Sequence, residues 1–231
     1  MRMDKVIVDK LENLGQAIKD LDRKKADECK QVAELFALLP SVATPMTVTK
    51  GERPDFIIEA GGHKTGIEVT WSCHQGWEEA ENYLGSPKNK TLSMISRNWF
   101  IGENARGKRQ GRYLEAKQGD STTWGSREMA AEWTNQMIDA LLRKTASFEK
   151  EGFQKFEKNW LLIADKMPFE FLDLDAALES LNFKAAGLEK EAPYNEVYIL
   201  TQVRGEKILI SRRKSGYECI ARGVPVNKCV R

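Results

Sequence analysis

Between Asp4 and Leu39 the apolar positions recur with helical spacing. Ile7, Leu11, Leu14, Ile18 and Leu21 form one stripe, and Cys29, Val32, Phe36 and Leu39 form a second after the charged stretch 22–28. The segment is one long helix that changes partner surface there, or two helices that meet there; Pro40 ends the series in either case. Residues 1–27 are therefore expected to be a helical extension, whose narrow stripe packs on the body of the protein or pairs with a second copy as a homodimer. The period then shortens to two. Asp55 to Glu59 and Gly66 to Trp71, joined by the turn-rich stretch 60–65, predict a β-hairpin.

Helical spacing returns from Ser126 to Phe148, with Met129, Trp133, Met137, Leu141 and Phe148 on one face. The short apolar run from Asn159 to Ala164 suits a strand buried on both sides. A short helix over 172–181 and two strands, 196–202 and 207–212, around Arg204-Gly205 complete the series. The order α-β-β-insertion-α-β-α-β-β predicts an α/β fold: one domain with a mixed sheet flanked by helices. Residues 72–124 read as a long insertion after the second strand, and 201–231 as a basic C-terminal segment. A stretch without regular structure as long as that insertion calls for a functional reason.

The charge balance narrows the partners. With 36 Lys and Arg against 34 Asp and Glu, the net charge is +2, which excludes a uniformly basic nucleic-acid coat protein. A hydrophobic share of 41% argues against wholesale disorder. No apolar run reaches the roughly 18 residues of a membrane span, and the start of the chain carries charges where a signal peptide needs apolar residues. The expected location is the cytoplasm, with no membrane partner. Cys29, Cys73, Cys219 and Cys229 lack the paired spacing of a zinc site, and in a reducing compartment they stay as thiols.

The hairpin carries the chemistry. Residues two apart on a strand share a face, so Glu68 and Thr70 point one way while Ile67, Val69 and Trp71 point into a core. Asp55, at the start of the neighbouring strand, brings a second carboxylate near Glu68. Two carboxylates at the rim of a sheet suit a hard divalent cation such as Mg²⁺, which can generate hydroxide and stabilise a phosphorane-like transition state.

Pro54-Asp55 and Glu68-Val69-Thr70 resemble the motif of the PD-(D/E)xK nuclease superfamily. The resemblance implies a restriction-endonuclease-like core: an N-terminal helix, a hairpin with the two motif halves, a helix and a further strand, spanning roughly residues 28–202. It also implies that Asp55, Glu68 and the Val69 carbonyl hold Mg²⁺ or Mn²⁺, and that the residue at position 70 orients or activates water. This chain departs from the pattern there, because Thr70 stands in place of the lysine and supplies no positive charge. Some members of the superfamily carry the lysine on a neighbouring helix. Lys144 interrupts the buried stripe of the 126–148 helix and is the candidate here, with Gln136 one strip away and Lys64 in the hairpin turn a weaker one. The alternative for Lys144 is a stem that packs while its ammonium reaches solvent. Glu34 matches the acidic helix residue that completes the metal site in many relatives, and Glu59 reads as solvated. His63 and His74 read as surface residues, and Asp165 as a turn or capping residue.

Two basic clusters point to a polyanionic partner, DNA by the same resemblance. Arg97 to Lys117 holds Arg106, Lys108, Arg109 and Arg112 interleaved with Trp99, Phe100 and Tyr113, a mixture able to neutralise phosphates and stack on bases. Thr201 to Arg231 holds eight basic residues against Glu206 and Glu218, with Arg212-Arg213-Lys214 following directly on a strand. The function expected is hydrolysis of phosphodiester bonds in DNA. The alternative is a nuclease-like module that has lost its chemistry and binds nucleic acid or a protein.

Overall fold

Gly61 and Gly62, with φ of +58° and +82°, form the two-residue turn of the hairpin. Both positions need the left-handed region that glycine enters without cost, and such a turn matches the twist of its strands. In the computed structural model, which describes residues 5–8, 23–39, 45–72, 126–150, 152–166, 172–188, 193–213 and 215–223, this hairpin lies inside one eight-stranded sheet.

The elements in chain order are β1 (Lys5–Val8), α1 (Arg23–Leu38), β2 (Met46–Lys50), β3 (Phe56–Ala60), β4 (His63–Ser72), α2 (Ser126–Phe148), β5 (Lys158–Asp165), α3 (Leu174–Ala185), β6 (Glu196–Val203), β7 (Glu206–Arg213) and β8 (Gly216–Gly223). The strands lie side by side in sequence order. β1 to β4 are antiparallel, β4, β5 and β6 run parallel, and β6 to β8 are antiparallel again. The parallel centre follows from the helices. α2 joins β4 to β5 and α3 joins β5 to β6, and each crossover returns the chain to the same end of the sheet.

Helices cover both faces. On one, Cys29, Val32, Leu35 and Phe36 of α1 pack on Val48, Phe56, Ile58, Ile67, Val69 and Leu162. On the other, Met129, Trp133, Met137 and Leu141 of α2, with Ala177 and Leu181 of α3, pack on Leu161, Ile163, Val197 and Ile199. β5, enclosed between these two layers, is therefore apolar on both sides. Each large side chain removed from water in these layers contributes about 1.5–3 kcal/mol. The sheet between two helical layers agrees with the α/β expectation.

The expectation for the start of the chain is corrected. The start is not a continuous helix, because Lys5–Val8 is a strand paired antiparallel with Met46–Thr49. Ile7 belongs to a β-branched run, Val6-Ile7-Val8, that suits a strand as well as a helical stripe, and pairing with β2 decides between them. The segment after Thr201 belongs to the sheet, as the strands expected around Arg204-Gly205 imply. It completes β6, turns at Arg204-Gly205 with φ of +50° and +81°, and supplies β7 and β8. Strand β4 reaches Ser72, and the remainder of the expected insertion lies outside the described residues. Among the described residues no helix is long and apolar enough to cross a membrane.

Candidate metal centre

The arms of the hairpin are unequal, and the site sits where the shorter one stops. Pairing of β3 with β4 runs from Ala60 opposite His63 to Phe56 opposite Ile67. Continued by one step, that register sets Asp55 across from Glu68, and opposed residues of an antiparallel pair project from the same face. A second step sets Pro54 across from Val69, and proline has no N–H to give the ladder. The Val69 N–H instead donates to Asp55 Oδ2 at 2.8 Å. A residue in an extended strand sends its N–H and C=O to the same edge, so the Val69 carbonyl faces the same gap.

Asp55 is held by a tight loop. The Gly51 N–H donates to the Asp55 carbonyl at 2.8 Å, and a Cβ on Gly51 would collide with the Pro54 carbonyl. A Cβ on Gly66 would lie 2.8 Å from the Phe156 ring and 2.9 Å from the Pro54 ring, so glycine there lets Pro54 close against β4. The Gln154 N–H donates to the Arg53 carbonyl at 3.1 Å and fixes the loop from its other side.

Lysines reach the two carboxylates from different layers. Lys144 of α2 donates to Glu68 Oε1 at 2.6 Å, with the Glu68 side chain only 7% exposed. Arg143 donates to the Trp71 carbonyl at 3.2 Å and Tyr194 donates to the Lys144 carbonyl at 3.1 Å, so this turn of α2 is fastened on both flanks. Lys50 of β2 lies 3.7 Å from Asp55 Oδ1, pairs with Glu28 of α1 and rests 4.2 Å over the Phe56 ring.

The electrostatics mark the place as short of positive charge. Burial first, and then the Glu68 carboxylate, push the Asp55 acid up to about 6, with Glu28 adding a smaller push; the Val69 N–H and Lys50 pull the other way. Burial, followed by Glu68 and Asp55, also raises the Tyr194 phenol, so it remains a protonated donor to the α2 backbone.

The donors fit a hard divalent ion. Glu68 Oε2 is buried and has no hydrogen-bond partner among the described residues, and Asp55 Oδ1 has Lys50 only at 3.7 Å. An anionic oxygen left buried in this way is costly unless a cation meets it. Together with the Val69 carbonyl these oxygens form a site suited to an ion that keeps water ligands, as Mg²⁺ does. Among the described residues no three His, Cys, Asp or Glu side chains gather into a metal-binding group.

The remaining candidates are placed as follows. Thr70 is buried on the face of Glu68. Glu34 is not drawn to Asp55; it pairs with Lys207 of β7 at 3.0 Å, three strands away from β4. The acid that α1 brings toward Asp55 is Glu28. Gln136 is buried and donates to Glu132 at 3.3 Å. Asp165 ties the layers together by accepting from Trp133 Nε1 at 2.9 Å and from Thr201 Oγ1 at 2.7 Å. His63 and Glu59 are exposed, as expected, and Lys64 pairs with Glu59 at 4.0 Å near the turn. Arg212 is half-buried and donates to the Tyr194 carbonyl. Arg213 pairs with Glu218 at 3.4 Å across β7 and β8. Arg106, Lys108, Arg109, Arg112, Lys214 and His74 lie outside the described residues.

Sequence reasoning missed Glu28 and Lys50. The signal for Lys50 was available in Met46-Thr-Val-Thr-Lys50, a short alternation ending directly before the loop that carries Asp55. Compared with protein-family models, with curated proteins and with solved structures, the chain matches none of them.

Proposed function

We propose that this protein is a metal-dependent nuclease of the restriction-endonuclease-like, PD-(D/E)xK kind, which hydrolyses phosphodiester bonds in DNA with Mg²⁺ or Mn²⁺. The observation that carries the reading is the Lys144 ammonium, 2.6 Å from Glu68 in a pocket shared with Asp55. The lysine missing at position 70 has a substitute on the helix facing the same carboxylate. The succession α1, hairpin β3–β4, α2, β5 is also the order of elements that the resemblance implies. We place the protein in the cytoplasm, in keeping with four cysteines whose spacing suggests neither a zinc site nor a disulfide framework.

Asp55, Glu68 and the Val69 carbonyl hold the ion. When bound, it supplies Lewis acidity toward the scissile phosphate and lowers the pKa of a coordinated water. Lys144 contributes a fixed positive charge beside Glu68, where it orients the attacking water or neutralises a phosphate oxygen. Thr70 offers a hydroxyl on the same face but no charge. The choice of DNA rests on the resemblance and on the basic, aromatic stretch 97–117.

Thr70 favours a second reading, a binding module on the same scaffold without chemistry. Incubating the purified chain with Mn²⁺ and a panel of double-stranded, single-stranded, nicked and branched DNA separates the two. Cleavage by the parent protein that disappears in Asp55→Ala and Lys144→Ala supports the nuclease. Metal-independent binding of DNA with every form left intact supports the module.

A further inference from the structure

Lys50 is an unusual neighbour for a metal ligand. Its side chain is nine-tenths buried, its ammonium pairs with Glu28 and lies 3.7 Å from Asp55 Oδ1, and its approach is fixed by the Phe56 ring. It is the last residue of β2, opposite Phe56 in the β2–β3 register, so pairing with β3 fixes the backbone that carries it. Lys144 is different: it lies on a helix with its side chain 23% exposed and grips Glu68 alone. One lysine is thus a group at the mouth of the site, and the other a charge built between two acids of different layers.

An ammonium held between two carboxylates occupies the position a bridging cation would take. Without it, Glu28 and Asp55 would face each other in a poorly solvated space with Glu68 nearby, an arrangement of three anions that requires positive charge. With it in place, the charges of Glu28 and Asp55 are offset by one ammonium that faces both.

We propose that Lys50 is an intrinsic replacement for a second divalent cation, so that the protein binds one metal ion, between Asp55 and Glu68, and a built-in ammonium holds the second position, between Asp55 and Glu28. This rests on the nuclease reading insofar as that reading gives Asp55 and Glu68 an ion. Lys50 acts as a positioning residue. It holds Asp55 Oδ1 at a fixed distance and limits the negative charge the single ion must balance.

Counting Mn²⁺ by calorimetric titration and by electron paramagnetic resonance tests this without any substrate. The parent chain is expected to bind one ion, Lys50→Ala two, and Lys50→Ala with Glu28→Gln one. Glu28→Gln alone is expected to keep one ion, since Glu28 serves the ammonium and not the metal. Circular dichroism shows whether each variant is folded, and where Lys50→Ala does not fold, the parent and Glu28→Gln counts can still overturn the proposal. One ion in a folded Lys50→Ala, two in the parent chain, or loss of the ion in a folded Glu28→Gln each overturns the proposal. A parent chain that binds no Mn²⁺ overturns the nuclease reading itself, an outcome distinct from the other three.

Discussion

Lys144 Nζ and Glu68 Oε1 are joined at 2.6 Å across the contact between α2 and β4, while the other oxygen of Glu68 is buried without a hydrogen-bond partner among the described residues. The carboxylate is thus half satisfied. One oxygen has the lysine, and the other is positioned for an ion.

Removing the lysine should expose that imbalance. Lys144→Met leaves a buried carboxylate without its charge partner, and breaking such pairs costs about 3 kcal/mol. Urea unfolding without metal is expected to register a loss of that order, and added Mn²⁺ is expected to restore part of it by replacing the missing charge. Unchanged stability would mean that the pair does not form.

The pH dependence is set by Asp55, whose acid is raised from 3.8 to about 6 by burial and by Glu68. The native state then holds the proton more tightly than the unfolded chain. The group's stabilising contribution is fully present below about pH 3.8 and is lost as pH rises through about 6. A shift of that size corresponds to about 3 kcal/mol. In metal-free protein, Asp55→Asn should flatten the stability profile between pH 4 and 6 and raise stability at pH 7 by up to that amount. In the parent protein, Mn²⁺ affinity should fall roughly tenfold per pH unit below about 6, because the ion must displace a proton.

The loop that presents Asp55 should matter as much as its carboxylate. Gly51→Ala drives a Cβ into the Pro54 carbonyl, and the cheapest relief is movement of the chain that carries Asp55. A stability loss of about 1–3 kcal/mol is expected from such overpacking. Mn²⁺ affinity, read by calorimetry, should fall at least roughly tenfold, as it does when the support of a metal ligand is disturbed. Undiminished affinity would show that Asp55 is positioned by its bond to Val69 alone.

Asp165 provides the contrast. Asp165→Ala leaves the Trp133 indole N–H and the Thr201 hydroxyl buried without their acceptor, a cost of about 1–3 kcal/mol for each. Thermal and urea unfolding should report that loss while Mn²⁺ stoichiometry remains that of the parent chain. A changed stoichiometry would place Asp165 in the metal site.

Which of these residues could be read from the sequence follows from what periodicity encodes. The stripe Met129 to Phe148 showed which face of α2 meets the sheet, and Lys144 stood out because a charge interrupted it. The hairpin was legible because alternation and a Gly-Gly turn coincide. β8 was not, since it lies at the sheet edge with Tyr217 as its one fully buried residue and is defined by its ladder to β7. Glu28 was passed over for Glu34 for a related reason. Periodicity identifies the face of α1 that is buried, but not which end of the helix overlies the motif; the strand that carries Lys50 determines that, and it went unread.

The account stands on two carboxylates and a lysine from another element acting at one metal ion, and the most direct measurement is Mn²⁺-dependent cleavage of DNA by the parent protein beside Asp55→Ala, Glu68→Ala and Lys144→Ala. Cleavage by the parent chain, with the two carboxylate variants inactive and Lys144→Ala reduced by a factor of about 10²–10⁴, is the predicted result. No cleavage of any DNA form by the parent chain, or undiminished cleavage by Glu68→Ala, would contradict it.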